Sequence, residues 1–252
     1  MKNLIYYFSG TGNSLAAAKL IARQLGGCEI VFMKGEFTPA AHYERIGFVL
    51  PCYAGGAPKP AMQFLKSLPL AGDSADYVFS VITCNDSGGD ASFMLDKILK
   101  QKGLRLNYAK TVRMVGNYVA LYAIPQNADE LLQHADAQLN SIAAEIQQKA
   151  QTKPPRRHLY FTAFYGIGNQ FFRVKERQMQ ASDACTGCGL CAQLCPVGNI
   201  AMKDGKPEFL HKNCTQCMAC LHWCPNAAID CGKQTARRGR YHHPAVKAGE
   251  LK

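Results

Sequence analysis

The sequence predicts an α/β, doubly wound, five-stranded parallel sheet followed by a small, cysteine-rich α+β domain. Three observations carry that expectation. Apolar runs alternate with helix-periodic stretches over the first 150 residues, and eight of the twelve cysteines fall between Cys185 and Cys224. The 252 residues, 48% hydrophobic and 19% charged, suffice for one large domain and one small one. Such a composition excludes wholesale disorder and a fibrous repeat.

Five short apolar runs read as buried strands: Leu4 to Phe8, Ile30 to Met33, Ile46 to Leu50, Tyr77 to Ile82 and Val112 to Val115. Between them, Leu15, Ala18, Ala22 and Leu25 keep helical spacing; Met62, Phe64 and Leu65 mark a second helix; Phe93, Met94, Ile98 and Leu99 mark a third. Leu131, Leu132, Ala135, Leu139, Ile142 and Ile146 place a fourth helix after the last strand. Strand alternating with helix gives a parallel sheet covered on both faces, spanning residues 1–150. Residues 151–181 break the rhythm with Pro154, Pro155, Arg156 and Arg157 and then six aromatics from Tyr160 to Phe172. They predict a linker that becomes a connector, its aromatics forming a face on which the domains dock.

The net charge of +11 is uneven: residues 1–150 hold 14 Lys/Arg against 12 Asp/Glu, whereas residues 151–252 hold 15 against 6. No apolar stretch reaches the roughly 18 residues a membrane span needs, and Ser9 to Asn13 interrupt the N-terminal apolar run too early for a signal peptide. A cytoplasmic location without membrane insertion is therefore expected, and cysteines at this density then suggest metal rather than disulfides.

From Cys185 the sequence repeats itself. Cys185, Cys188, Cys191, Cys195, Pro196 and Ile200 recur 29 residues later as Cys214, Cys217, Cys220, Cys224, Pro225 and Ile229. Each unit reads C-x2-C-x2-C-x3-C-P, in which three thiolates hold one [4Fe-4S] cluster while the fourth crosses to the other. Cluster I is thus expected on Cys185, Cys188, Cys191 and Cys224, and cluster II on Cys214, Cys217, Cys220 and Cys195, within a domain at 182–231. Tetrahedral zinc on the C-x2-C pairs is a poor second reading, since it leaves four cysteines unexplained. Residues 232–252 form a basic tail, read most simply as a solvated extension, with docking of an acidic redox partner as its functional alternative. Cys28, Cys52, Cys84 and Cys231 fit neither quartet and receive no catalytic role.

Behind the first strand, Ser9-Gly10-Thr11-Gly12-Asn13-Ser14 leads into a helix whose N-terminal amides attract an anion. No lysine completes a Walker A loop, and Leu15 stands where a dinucleotide fingerprint needs its third glycine. What remains is a neutral phosphate loop of hydroxyls and amides. In open α/β sheets the ligand lies beyond the carboxyl ends of the strands, which here deliver Pro51 to Pro58 and Thr83 to Asp90.

That loop resembles the FMN phosphate loop of flavodoxins. The order of parts resembles the prokaryotic flavodoxin plus 2[4Fe-4S] ferredoxin fusion proteins, the EFR-type ferredoxins; the resemblance is carried by Phe8 to Ser14, Tyr53 to Gly56, Gly116 to Tyr118, the two cysteine units and Arg240 to Pro244. It implies a flavodoxin-like sheet, a bacterial-type ferredoxin domain, FMN and two [4Fe-4S] clusters. Ser9, Thr11 and Ser14 would donate hydroxyls, with the amides of Gly10, Gly12 and Asn13 completing the cradle. Further flavin contacts are expected from Pro51, Tyr53, Ala54, Gly55, Thr83, Asn85, Gly88, Gly89, Asn117 and Tyr118, Tyr53 lying against the ring without an aromatic opposite from the later loop. The expected function is electron transfer among FMN, the clusters and an external protein partner, with no nucleic acid involved. The rivals are a flavin-dependent reductase of a small acceptor such as a quinone, and a redox-sensing or relay component of a larger complex.

Overall fold

A computed structural model describes residues 2–251. Strands β1 (Asn3–Tyr7), β2 (Cys28–Phe32), β3 (Tyr43–Pro51), β4 (Ala75–Cys84) and β5 (Tyr108–Arg113) form one parallel sheet in the order β2-β1-β3-β4-β5. This is the flavodoxin-like order, whose switch point lies between β1 and β3. The central strands are apolar throughout because helices cover both faces. Helix α1 (Asn13–Leu25) packs with α4 (Ala128–Gln147), and α2 (Lys59–Ser67) with α3 (Ala91–Gln101). Within the core Tyr6 stacks on Phe48 at 5.5 Å. The last strand begins at Tyr108 rather than Val112, because an edge strand buries only Tyr108 and Val112 and lacks an unbroken apolar run. Met114 and Val115 lie just beyond it.

The connector contains an 18-residue helix, α5 (Leu159–Glu176). Its start is tied to the β4–α3 loop by the buried carboxylate of Asp90, which accepts from the His158 backbone N–H (3.0 Å) and the Thr162 hydroxyl (3.0 Å). The Tyr165 hydroxyl adds a bond to the Ala57 carbonyl.

The small module that follows holds the antiparallel pairs β6 (Met179–Ala181) with β9 (Ile229–Cys231) and β7 (Ile200–Lys203) with β8 (Lys206–Phe209), plus two single-turn helices, α6 (Leu190–Gln193) and α7 (Ala219–His222). The repeat is visible in the backbone. Gly187, Gly189 and Gly198 have positive φ, and so do their counterparts Gln216, Met218 and Ala227.

The tail is not the solvated extension the sequence suggests. Tyr241, His243, Val246 and Leu251 are buried, the Tyr7 hydroxyl bonds to the Glu250 carbonyl, and Lys19 pairs with the Glu250 carboxylate. Arg240 faces inward, bonding Asp230 and the Ile229 carbonyl. Burial of apolar side chains spaced along a charged segment outweighs its solvation here.

Candidate functional site

At the carboxyl ends of β1, β3 and β4 lies a cavity of about 440 Å³. Its polar end is the loop between β1 and α1. Gly12 takes a left-handed conformation (φ 98°) and α1 has neither a side-chain cap nor an acidic first turn, so its first amides remain available for an anion. Ser9 Oγ accepts from the Gly12 N–H (3.0 Å), and Thr11 Oγ1 accepts from Asn117 Nδ2. Both hydroxyls therefore keep a proton to donate. Ser14 and Thr83 share one bond of 2.8 Å, which leaves a third such proton. The neutral donor set suits a phosphate held without a cation.

The rest of the wall is aromatic and apolar. Tyr53, Tyr118, Tyr122, Phe164, Phe171 and Phe172 line it, with Pro51, Cys52, Ala54, Cys84 and Asn85. A polar, donor-rich end and a flat-walled aromatic end fit a ring carrying a phosphate. Burial pushes the Cys52 thiol up to about 11 and the Cys84 thiol up to about 12, so both stay protonated.

Of the expected flavin contacts, Ser9, Gly10, Thr11, Asn13, Ser14, Pro51, Tyr53, Ala54, Thr83, Asn85, Asn117 and Tyr118 line this cavity. Gly12, Gly55, Gly88 and Gly89 do not. Gly12 faces His243 and Val246; Gly55 accepts the Asp90 N–H and packs against Gly89; Gly88 lies on Thr111. These glycines shape the loops from behind. Phe164, Phe171 and Phe172, from the connector, answer the expected lack of a second aromatic from the loop after β4. Their spacing of seven and eight residues on a helix was the available signal.

The cysteines fall into two groups. One small cavity is lined by Cys195, Cys214, Cys217 and Cys220, and another by Cys185, Cys188, Cys191 and Cys224. Each group unites three cysteines of one repeat with the fourth of the other. Among the described residues no three His, Cys, Asp or Glu side chains could hold a single metal ion. Thiolates that each bind a different iron stand further apart than the ligands of one ion. Backbone N–H groups of Asn199 and Ala228, again 29 residues apart, point at Cys195 Sγ (3.1 Å) and Cys224 Sγ (3.3 Å). Such donors favour thiolates; at Cys214, whose thiol burial pushes up to about 11, the backbone N–H and Nε2 of Gln216 oppose that shift.

The second group abuts the large cavity. A Cβ on Gly10 would lie 2.2 Å from the Cys217 carbonyl oxygen, so only glycine permits this approach. Trp223 Nε1–H donates to the Gly10 carbonyl (3.0 Å). Gln216 borders both cavities: its backbone N–H and Nε2 point at Cys214 Sγ, and its Oε1 accepts the Tyr118 hydroxyl at 3.2 Å. His222 closes the joint as a neutral ring, Nε2–H donating to the Asn117 carbonyl and Nδ1 accepting the Tyr241 N–H. Burial, chiefly, lowers its pKa to about 4. The tail adds the Tyr241 hydroxyl to Asn13 Oδ1 (2.7 Å) and the His243 N–H to the Thr11 carbonyl (2.8 Å).

Residues 184–229 match the family model of the 4Fe-4S dicluster domain. Over 46 residues the chain is 39% identical to one component of an ion-translocating oxidoreductase complex from Methanosarcina acetivorans, a match covering 18% of this chain and 17% of that protein. Among solved structures, two-electron reduced flavodoxin of Megasphaera elsdenii is 20% identical with a TM-score of 0.37, covering 56% of this chain and 99% of that one. A flavoprotein of Lactobacillus acidophilus in complex with FMN is 16% identical with a TM-score of 0.35, covering 44% of this chain and 92% of its own. Together with the strand order, the dicluster match makes the architecture that of a flavodoxin-like domain followed by a ferredoxin-type module.

Proposed function

We propose that this protein transfers electrons between FMN bound in the large cavity, two [4Fe-4S] clusters and an external redox partner. The observation that carries the reading is the pair of crossed cysteine quartets, each around its own small cavity, with one of them set against the loop that would hold the FMN phosphate. Cluster I would be held by Cys185, Cys188, Cys191 and Cys224, and cluster II by Cys214, Cys217, Cys220 and Cys195. Bound flavin and clusters supply one-electron exchange, and flavin also stores a second electron.

The chain's own groups would place these centres in a row. Ser9, Thr11, Ser14 and the first amides of α1 hold the phosphate end, and Tyr53 with the α5 aromatics excludes water from the ring. Gln216 and Tyr118 bridge from that ring's wall to Cys214. The first quartet instead reaches the surface at Cys188, its exposed member. Cluster II is thereby the flavin's neighbour and cluster I the outward port.

An anaerobic preparation assayed for iron, sulfide and flavin tests this reading. Roughly eight iron per chain with stoichiometric FMN is expected. Zinc in place of iron, or clusters without flavin after FMN has been offered, would overturn it.

A further inference from the structure

Helix α5 carries its apolar side chains outward. Leu159, Tyr160, Ile167 and Val174 are 75%, 71%, 70% and 60% exposed, Phe164 lies beside them, and the one fully buried residue of the helix is Glu176. Tyr160, Phe164, Ile167 and Val174 follow one another at helical spacing and form a stripe along a helix roughly 27 Å long. Apolar side chains exposed in a row along about four helical turns mark an interaction surface.

The charges around the stripe say with what. From residue 153 to 177 stand Lys153, Arg156, Arg157, Arg173, Lys175 and Arg177, and the one acid of that stretch, Glu176, is buried and bonded to Asn199 Nδ2 and the Cys214 N–H. Cations therefore bracket the apolar ridge at both ends with no exposed carboxylate between them. The charge flanking this face is of one sign, cationic at both ends, which an anionic surface complements. A helix with aromatic and aliphatic residues on one side and Lys/Arg beside them is the pattern that lies in the plane of an anionic lipid surface. No described helix is long and apolar enough to cross a membrane.

We propose that α5 is a peripheral membrane-binding surface that seats the protein on anionic lipid, with Leu159, Tyr160, Ile167 and Val174 entering the interface and the flanking arginines and lysines meeting the headgroups. Leu159, Tyr160 and Val174 lie outside the cavity assigned to the flavin, so their part in this surface does not depend on the flavin or cluster assignments. Since Phe164 and Ile167 also line the large cavity, the wall of that cavity would lie next to the bilayer.

The test is co-sedimentation of the purified holoprotein with vesicles of phosphatidylcholine alone and of phosphatidylcholine with one third phosphatidylglycerol. Binding to the anionic vesicles is expected to exceed binding to neutral ones by about tenfold or more, and to fall in about 1 M salt, where charge attraction is screened within about 3 Å. Leu159→Glu combined with Val174→Glu should lower the partition coefficient by at least about tenfold. These two residues lie outside the cavity wall, so unchanged absorbance and iron content serve as the folding check. Leu159→Ser alone, at the most exposed position, should give a smaller loss and stands in if the double variant fails to fold. Absence of binding to anionic vesicles would overturn the proposal. So would binding unaltered by these variants, which would assign it to the basic tail, or a stripe-dependent dimer without lipid binding, which would assign the face to a second copy of the chain.

Discussion

The two cysteine repeats share a backbone and differ in what they put on it. At matching positions the first has Gly187, Gly189 and Gly198, and the second has Gln216, Met218 and Ala227, all with positive φ. A side chain in the left-handed region costs on the order of 1 kcal/mol, so the second repeat carries strain that the first avoids. At 216 the strained residue reaches from Cys214 to Tyr118, across the joint between domains. In the first repeat Cys188 is exposed, and the glycine at 187, opposite Gln216, carries no side chain to reach a neighbour. The asymmetry separates an inner quartet, built into the interface, from an outer one facing solvent.

Removing a ligand from each quartet should break that comparison most visibly. Cys220→Ala and Cys188→Ala are each expected to lower iron from about eight to about four per chain. Only the first should uncouple reduction of the flavin from reduction of the remaining cluster, because it removes the inner centre; stopped-flow spectra resolve the two. Equal behaviour of the two variants would refute the ordering. Cys220→Ala should also loosen the module on the sheet domain, since cluster ligation in so small a domain supplies folding free energy.

Gln216→Gly sharpens the comparison by making the second repeat like the first. It removes the Nε2 donor at Cys214 Sγ while keeping the backbone N–H. Donors to cluster sulfurs raise reduction potential. The variant should lower the potential of one cluster by on the order of 30–60 mV, with a tenfold change for one electron at 59 mV, and leave the other unmoved. Potentiometry followed by electron paramagnetic resonance reads both, and stability should hardly fall because backbone strain is relieved.

How much of this was legible beforehand follows from the range of the interactions. The strands announce themselves locally, as in Leu4 to Phe8 and Ile46 to Leu50, and the cysteine spacing carries the crossed pairing within 40 residues. Gln216 had a local signal too, since aligning the repeats sets it opposite a glycine. The tail did not. Tyr241 meets Asn13 across 228 residues, and no periodicity in a short basic segment encodes that bond. The α5 aromatics were legible as a docking face but not as a cavity wall, because their destination is fixed by Asp90 holding His158 and Thr162. Asp90 ends the loop expected beyond the carboxyl end of β4, yet it is buried and turned toward the connector.

The joint between the two regions gives a smaller effect. Trp223→Phe keeps the stacking on His242 (centroids 4.2 Å apart) but leaves the Gly10 carbonyl without its indole donor. The expected cost is about 1–2 kcal/mol of stability, read as a lower midpoint in calorimetry of the holoprotein. FMN should also dissociate faster, because the same carbonyl lies in the phosphate loop. A variant as stable as the parent would show that the joint is held by packing alone.

The smallest effect is a pH dependence of the tail. His243 is buried, its Nε2 has no partner, and burial lowers its pKa below the ordinary value, with Asp136 opposing. A folded pKa beneath the unfolded value of about 6.5 means that the neutral ring is the one the fold accepts. Its contribution is therefore complete above about pH 6.5 and is lost as pH falls below that value toward the lowered one. Since the His243 N–H bonds the Thr11 carbonyl, protonation should loosen the tail from the phosphate loop and not from the first quartet. Limited proteolysis of the tail should accelerate at about pH 5 relative to about pH 7.5, while the absorbance of the clusters stays constant. In His243→Phe that acceleration should shrink but not vanish, because the apolar surroundings of Gly12 and Val246 accept the ring while His222, which accepts the Tyr241 N–H and whose pKa burial lowers to about 4, still titrates against the tail.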